Sequence, residues 1–488
     1  MNILFSHSYF LRFDPKQWKL GQPYAPLATL YAAAWLRAQG HSVSLFDPMF
    51  VSDPAAVSES IQEHRPEVFV VYDDGFNYLT KMCLTNMRDA ALKMIAIARE
   101  HGCKVIVSSS DATDHCETYL RSGADFVLIG EAEQTLHELV GELRSPDFDP
   151  ANIPGVAWLS DEGVKKSEPR QLLRDLDKIP FPAWDLVDVE AYRSTWLKST
   201  GYFSLNMSTT RGCPFKCNWC AKPIYGNRYN SRSPQNVVDE LVMLRQRYGF
   251  DHIWFCDDIF GLKPGWVQQF AVLVQSSGLK FRFKIQSRAD LLLQDDTVQA
   301  LKTAGCENVW IGAESGSQKI LDAMDKGITV GQIREATATL KRHGIAPSLF
   351  IQFGYPGENA ADIDNTLSMI RELLPQSIGV SVSYPLPGTV FFERVKAQLS
   401  AKANWTDSDE LALMFTNTYQ PSFYRQLHRY VQWYHRKNLT AAYLRNLLAR
   451  PSSVSIASLR KFFAVFYYYL RTWLSGARLS LLTRKEAI

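Results

Sequence analysis

Three cysteines fall within eight residues, Cys213, Cys217 and Cys220, in the stretch Thr210-Arg211-Gly212-Cys213-Pro214-Phe215-Lys216-Cys217-Asn218-Trp219-Cys220. Thiolates this close can share one metal centre. Cysteine sulfur is the usual ligand of iron–sulfur clusters, and a four-iron (4Fe-4S) cluster held by only three protein thiolates keeps one iron open to another ligand. That open iron is where chemistry would occur. The competing reading, a structural zinc site, calls for four ligands in paired short spacings, and no second Cys or His pair lies nearby.

Hydrophobic periodicity supplies the elements that must position those cysteines. From Met1 to about Leu143, short apolar strands alternate with helical stretches, the pattern of a parallel sheet covered on both faces. Strands are predicted at 2–5, 42–47, 68–72, 104–109 and 125–130, and helices at 26–39, 54–64, 83–101, 113–122 and 132–143. Ligands of such a doubly wound, Rossmann-like sheet bind beyond the carboxyl ends of the strands. There the chain reads Ser6-His7-Ser8, Tyr72-Asp73-Asp74-Gly75, Ser108-Ser109-Ser110-Asp111 and Gly130-Glu131-Ala132-Glu133. Tyr72, Ser108, Ser109, Gly130 and Glu131 are the candidate contacts to a large polar cofactor, although the same residue types suit ordinary helix caps.

Residues 146–200, with six prolines between Pro146 and Pro182, read as an irregular linker carrying one hairpin. From 201 to 400 six further strands are predicted, at 204–209, 252–256, 281–286, 308–313, 348–353 and 378–383, with helices at 234–248, 265–276, 295–304, 317–324 and 360–373. Six such repeats predict a partial (β/α)6 TIM barrel whose chemistry sits on loops at the strand carboxyl ends. The cysteine stretch is the first of those loops. The expected division is 1–145, a linker over 146–200, the barrel over 201–400, and a basic, aromatic, helical region over 401–488.

The spacing Cys213-x-x-x-Cys217-x-x-Cys220, with Trp219 before the last cysteine, resembles the signature of the radical S-adenosylmethionine (radical SAM) enzymes. The resemblance implies that the cluster's open iron is chelated by the amino and carboxylate groups of S-adenosylmethionine. An electron from the cluster, replenished by an external donor, then splits the sulfonium to a 5′-deoxyadenosyl radical, which abstracts hydrogen from the substrate. Similar pieces follow at successive strand ends, over most of 204–392. Trp254-Phe255-Cys256-Asp257-Asp258 stands where relatives face the amino group of the cofactor, which carries that role to Asp257 or Asp258. Gln286-Ser287-Arg288 offers a guanidinium that can hold a carboxylate with two parallel hydrogen bonds. Glu314 or Ser315, in Gly312-Ala313-Glu314-Ser315-Gly316-Ser317, is implied to contact the ribose or methionine moiety. Gly354 and Gly357, in Gly354-Tyr355-Pro356-Gly357-Glu358, let backbone approach an adenine, and Tyr384-Pro385-Leu386-Pro387-Gly388-Thr389 closes the series. Helix capping by the aspartates and plain salt bridging by Arg288 are the competing readings.

The first domain, ending in Gly130-Glu131-Ala132-Glu133, resembles that of the cobalamin-binding radical SAM enzymes. Many corrinoid domains place a histidine beneath cobalt from an Asp-x-His-x-x-Gly motif after the first strand, where this chain reads Ser6-His7-Ser8-Tyr9-Phe10. The resemblance therefore implies cobalamin bound without a protein histidine ligand, with His7 kept as a candidate contact. Relatives that attach methylthio groups hold a second cluster on three cysteines of this domain. Here Cys103 precedes the fourth strand, on the side opposite the ligand loops, and Cys83 and Cys116 fall in predicted helices. With Cys256 and Cys306 they are expected to be packing residues. The reaction implied is cobalamin-dependent methylation of an unactivated carbon by a methyltransferase. Ring closure or oxidation of a tetrapyrrole or membrane lipid uses the same parts, and a corrinoid sensor with an inactive barrel is the reading of another class.

Composition sets the outer bounds. A chain of 488 residues exceeds one ordinary core, and 46% hydrophobic against 21% charged residues describes a folded protein. Met1 runs straight into apolar Asn2-Ile3-Leu4-Phe5 without a basic region or cleavage site, which predicts a cytoplasmic protein with reduced cysteines. The net charge of +3 is segregated: residues 421–488 carry twelve Lys and Arg against Glu486 alone, for +11, leaving −8 over residues 1–420. So basic a tail meets an anionic partner or none. Arg425, Arg429, Gln432 and Arg436 share one helical face; Leu427, Tyr430, Val431 and Tyr434 share another. Further on, the uncharged run from Phe462 to Leu470, between Lys461 and Arg471, is too short for a bilayer span of about 20 helical residues. Aromatics beside Lys and Arg suit peripheral contact with the inner face of an anionic membrane. A helical cap on the barrel is the competing reading, and nucleic acid ranks last because no RNA-binding module is appended. The tail favours a hydrophobic small-molecule substrate, whose identity fold and cofactor leave open.

Overall fold

The computed structural model describes residues 1–399, 404–449 and 456–485; of 448, 449, 456–462, 484 and 485 it describes the backbone alone, so the side chains of Lys461 and Phe462 lie outside the described residues. The chain forms two compact units. One is Met1–Phe215 with Ala221–Ile285 and Asn404–Glu410; the other is Lys216–Cys220 with Gln286–Ala403 and Leu411–Ile488.

In the first unit the five expected N-terminal strands are present as β1 (Asn2–Ser6), β2 (Ser42–Phe46), β3 (Val68–Tyr72), β4 (Lys104–Ser108) and β5 (Phe126–Leu128). They run parallel in the order β2-β1-β3-β4-β5. The order reverses between β1 and β3, so the ligand crevice of this doubly wound sheet lies at the ends of those two strands. Val68 to Tyr72 are buried on both faces, as an uninterrupted apolar run in a parallel sheet requires. The helix Thr85–Glu100 buries Met87, Ala90, Ala91, Met94, Ile95 and Ala98 in a stripe of helical period, the last five in the same core as Phe69, Val71, Val105 and Val107. The larger of these side chains contribute about 1.5–3 kcal/mol each on burial.

The expected linker is more ordered than its prolines imply. β6 (Val156–Ser160) and β7 (Gly163–Lys166) form the hairpin, and β6 pairs antiparallel with β5, extending the sheet to seven strands. A helix follows at Val189–Thr200, capped by Asp188 and closed by Gly201 at φ 81°. Conversely, the helix expected over 113–122 is two, Ser110–Asp114 and Cys116–Arg121, broken at His115.

The strand–helix alternation of the expected barrel is also present. The first unit holds β8 (Ser204–Met207), the ribbon of β9 (Thr210–Arg211) and β10 (Asn230–Ser231), then β11 (His252–Phe255) and β12 (Arg282–Ser287), whose last residues open the second unit. β11 pairs in parallel with both β8 and β12. In the second unit β13 (Cys306–Glu314), β14 (Ala346–Phe353) and β15 (Ser377–Val382) are parallel neighbours. A helix beyond those expected, Val330–Arg342, opens on a capping box of Thr329 and Gln332. The first tail helix, Pro421–Ala449, buries Leu427 and Val431, and His435 Nε2 meets the Pro375 carbonyl at 2.8 Å, so this helix caps the second unit.

Candidate active site

One buried carboxylate sets the start of the cysteine loop. Asp257, at the end of β11 and 1% exposed, accepts hydrogen bonds from the amides of Thr209 and Thr210 (2.7 Å each) and from their hydroxyls (2.7 and 3.0 Å). Burial pushes this carboxyl up to about 6, against the pull of those donors. Asp258, the other candidate on this loop, pairs with Lys81 at 2.7 Å. Both carboxylates thus have protein partners, and Asp257 spends its acceptors on the chain leading to Cys213. Gly212 follows at φ 80°, where a Cβ would stand 2.2 Å from the Arg228 carbonyl oxygen; only glycine fits there.

Arg211 is buried between two carboxylates, Glu131 at 2.5 Å and Glu133 at 2.7 Å, with the Tyr225 ring 5.2 Å from its guanidinium. Glu131, one of the candidate cofactor contacts, anchors the arginine that precedes the cysteine motif. It also accepts from the Leu173 amide.

In the second unit the backbone between Cys217 and Cys220 is fixed by Asn218. Its side-chain amide donates to the Ala323 carbonyl and to Asp325 (2.8 Å each), its Oδ1 accepts from the Tyr355 hydroxyl (2.8 Å), and its own N–H reaches the Met324 carbonyl (3.1 Å). The only signal of Asn218 in the sequence is a polar side chain between two cysteines. Its neighbour Trp219 keeps its indole Nε1 buried without a partner, and its ring lies 5.9 Å from Lys326 Nζ. Lys326 pairs with buried Glu314 at 2.7 Å. Glu314 sits at φ 58° beside a register shift in β13, a strained conformation of the kind that gathers at functional sites.

The remaining candidate contacts lie as follows in the fold. Arg288 grips its neighbour Asp290 (3.0 and 3.2 Å) and the carbonyls of Lys326 and Gly327 (3.0 and 3.3 Å). Ser315 lies 3.1 Å from the Thr366 hydroxyl, and Gln286 is half-buried on β12. Gly354, at φ 76°, makes its close approach to protein: a Cβ would stand 3.2 Å from Leu413 and from Tyr424. Gly357 has open space around it.

Glu358 ends that loop, one oxygen accepting from the Gly354 amide (2.7 Å) and the other buried without a partner. Burial pushes its carboxyl from 4.5 up to about 8. The folded value exceeds the unfolded one, so its contribution to stability is full below 4.5 and is lost as pH rises through about 8. Glu358→Gln keeps the acceptor and carries no charge. It is expected to gain on the wild type by about 1.4 kcal/mol per pH unit across that window, read from urea midpoints. Parallel pH curves for the two proteins would sink this assignment.

At the β1/β3 crevice, His7 has both ring nitrogens engaged, Nε2 with Asp47 (3.0 Å) and Nδ1 with the Tyr9 amide (3.3 Å). Ser8 is bound by Asp73 through its amide and hydroxyl (2.7 and 2.9 Å). Burial pushes Asp74 up to about 6, although the amides of Ala28 and Phe76 donate to it. The Tyr9 hydroxyl is buried here with no partner, the kind of group that an amide-rich ligand would complete. Tyr72 and Ser108 are buried register partners, Ser109 caps the helix Ser110–Asp114, and Gly130 has φ 78°.

No cysteine is disulfide-bonded; Cys213 is buried, Cys217 and Cys220 half-buried. Cys83, Cys103, Cys256 and Cys306 are buried, which pushes their thiols up, and Cys103 and Cys116 belong to the core of the first unit.

Residues 207–370 match the radical SAM superfamily. That stretch is a radical SAM domain. It is 31% identical over 283 residues to an uncharacterized methyltransferase of Pyrococcus horikoshii, covering 58% of this chain and spanning 60% of the relative's length. It is 25% identical over 462 residues to the hopanoid C-3 methylase of Methylococcus capsulatus, covering 90% and 84% of the two chains. The structure of the radical S-adenosylmethionine methyltransferase TsrM from Kitasatospora setae, with cobalamin and a [4Fe-4S] cluster bound, aligns at TM-score 0.67 and 18% identity over 81% of this chain and 74% of that one. That likeness shows the fold, a doubly wound domain before a radical SAM partial barrel.

The radical SAM domain opens on the last residue of β8 and takes in the cysteine loop and the strand ends through Gly357. Among the described residues no three His, Cys, Asp or Glu side chains gather as a single metal ion would need. Thiolates on a four-iron cube bind three separate irons and need no common point. Three cysteines within eight residues of sequence suit that donor set.

Proposed function

We propose that the protein is a radical SAM enzyme that methylates an unactivated carbon of a small molecule, holding a 4Fe-4S cluster on Cys213, Cys217 and Cys220 and cobalamin at the β1/β3 crevice. The match over 207–370, with the three thiols on its first loop, carries this reading. When bound, the cluster supplies the electron that cleaves S-adenosylmethionine, and the corrinoid carries the methyl group. Asp257 and Asn218 hold the cysteine loop. Tyr9 would offer a buried hydroxyl to the corrinoid, while His7 has both ring nitrogens engaged by Asp47 and the Tyr9 amide. Trp219, Glu314, Gln286 and Gly357 stand as the remaining candidates around S-adenosylmethionine. By role, 1–145 would carry the corrinoid and 201–400 the radical chemistry, with an external electron donor completing the system.

The test is the product balance of the reconstituted, reduced protein. Methylation yields S-adenosylhomocysteine and 5′-deoxyadenosine together with a methylated product. Deoxyadenosine without stoichiometric S-adenosylhomocysteine would move the reading to ring-forming or oxidative chemistry. Absence of both from iron-loaded protein would leave a corrinoid-binding protein with an inactive barrel.

A further inference from the structure

The second tail helix, Ile456–Lys485, turns one face to the first. Gln426 Nε2 donates to the Ser475 carbonyl (2.9 Å) and hydroxyl (2.8 Å), and a Cβ on Gly476 would stand 3.3 Å from the Tyr430 ring. The opposite face is open to solvent. Phe463, Phe466, Tyr467, Leu470, Trp473 and Leu474 are all exposed, Phe463 and Trp473 at 68%. Their spacing of three and four residues puts them on one stripe along about three turns. A helix that hides small polar residues against its partner and shows phenylalanine, tryptophan and leucine to water is inverted for an isolated soluble hairpin.

Cations flank this stripe. Arg471 lies 4.8 Å over the Trp433 ring and 5.9 Å from that of Tyr467, and Lys437 Nζ lies 4.7 Å from Tyr434 and 5.3 Å from Tyr469. Arg478 is exposed one turn beyond Leu474. The sequence has no acidic residue from 421 to 485. Among the described residues no helix is long and apolar enough to cross a membrane.

We infer that this face seats the protein on an anionic lipid surface, the helix lying in the interfacial plane. The aromatic and aliphatic stripe enters the boundary between headgroups and acyl chains, while arginine and lysine meet lipid phosphates. Charge decides between occupants. A second copy would bring like charges together, and a nucleic acid would satisfy the cations but leave Leu470 and Leu474 in water. The inference stands on the tail alone and does not depend on the proposed reaction.

The experiment is sedimentation of the full chain with vesicles of phosphatidylcholine, with and without phosphatidylglycerol. The wild type is expected to pellet with the anionic vesicles, to be released by salt, and to stay in solution with the neutral ones. Phe466→Ser/Leu470→Ser/Trp473→Ser changes only exposed side chains and is expected to weaken partitioning about tenfold or more at unchanged thermal stability. Arg471→Gln/Arg478→Gln should weaken binding to the anionic vesicles alone. Equal pelleting of the wild type and the triple-serine variant would overturn the inference. So would a wild type that ignores both vesicles and forms a dimer, detected by light scattering, that the triple-serine variant dissolves.

Discussion

Replacing any one of Cys213, Cys217 or Cys220 with alanine is expected to strip iron from the chain and abolish reductive cleavage of S-adenosylmethionine. A four-iron cluster on three thiolates has no spare protein ligand, so loss of one leaves two corners of the cube anchored. The wild type, purified without oxygen, should carry about four irons per chain and each variant close to none. Corrinoid content should persist, because Tyr9, Asp73 and Asp74 at the crevice are untouched. Two comparisons separate ligation from loop structure. Cys256→Ala should keep its iron, since that thiol is buried against the Met207 carbonyl at 3.2 Å. Asn218→Ala keeps all three thiols but frees the backbone between two of them, so it should load partially and recover with excess iron and sulfide. Full iron in Cys217→Ala, or its loss in Cys256→Ala, would refute the assignment.

The sequence showed where these loops are but not what their residues hold. β3 could be read at Val68–Tyr72 because five apolar residues in a row have no other comfortable place. β6 was harder. Its pairing partner, Phe126–Leu128, lies some thirty residues back, and proline on either side of a short hairpin looks like a linker until the edge of the sheet is known. The same limit governs the site. Cysteine spacing is local, so the triad was legible. Glu131 and Arg211 are eighty residues apart, and only the folded chain reveals that they meet. A carboxylate at a strand end looks the same in sequence whether it faces a ligand amine or two threonine amides, so the partners of Asp257 emerge only in the fold. A glycine suits any close approach, and only the fold shows that Gly354 lies against Leu413 and Tyr424.

The Glu131–Arg211–Glu133 cluster should be the most costly point in the first unit to break. All three side chains are at most 4% exposed. Arg211→Ala would leave two carboxylates in a site that water does not reach, and loss of one partner from a buried ion cluster costs about 3–5 kcal/mol. The pH dependence identifies the cause. Burial already pushes Glu131 up, even with the arginine beside it. Without the arginine Glu131 should fold protonated, so the variant loses stability as pH rises, and its deficit against the wild type narrows in acid. Urea unfolding on the acid and alkaline sides of neutrality reads this directly. Arg211→Met/Glu131→Gln/Glu133→Gln removes every charge at similar volume and should recover most of the loss, since apolar replacements of buried ion clusters are often neutral. Its iron loading then tests what the cluster is for. If stability returns while iron does not, the ion pairs fix the geometry of the loop entering Cys213. If both return, the arginine needs only to fill its place beneath that loop.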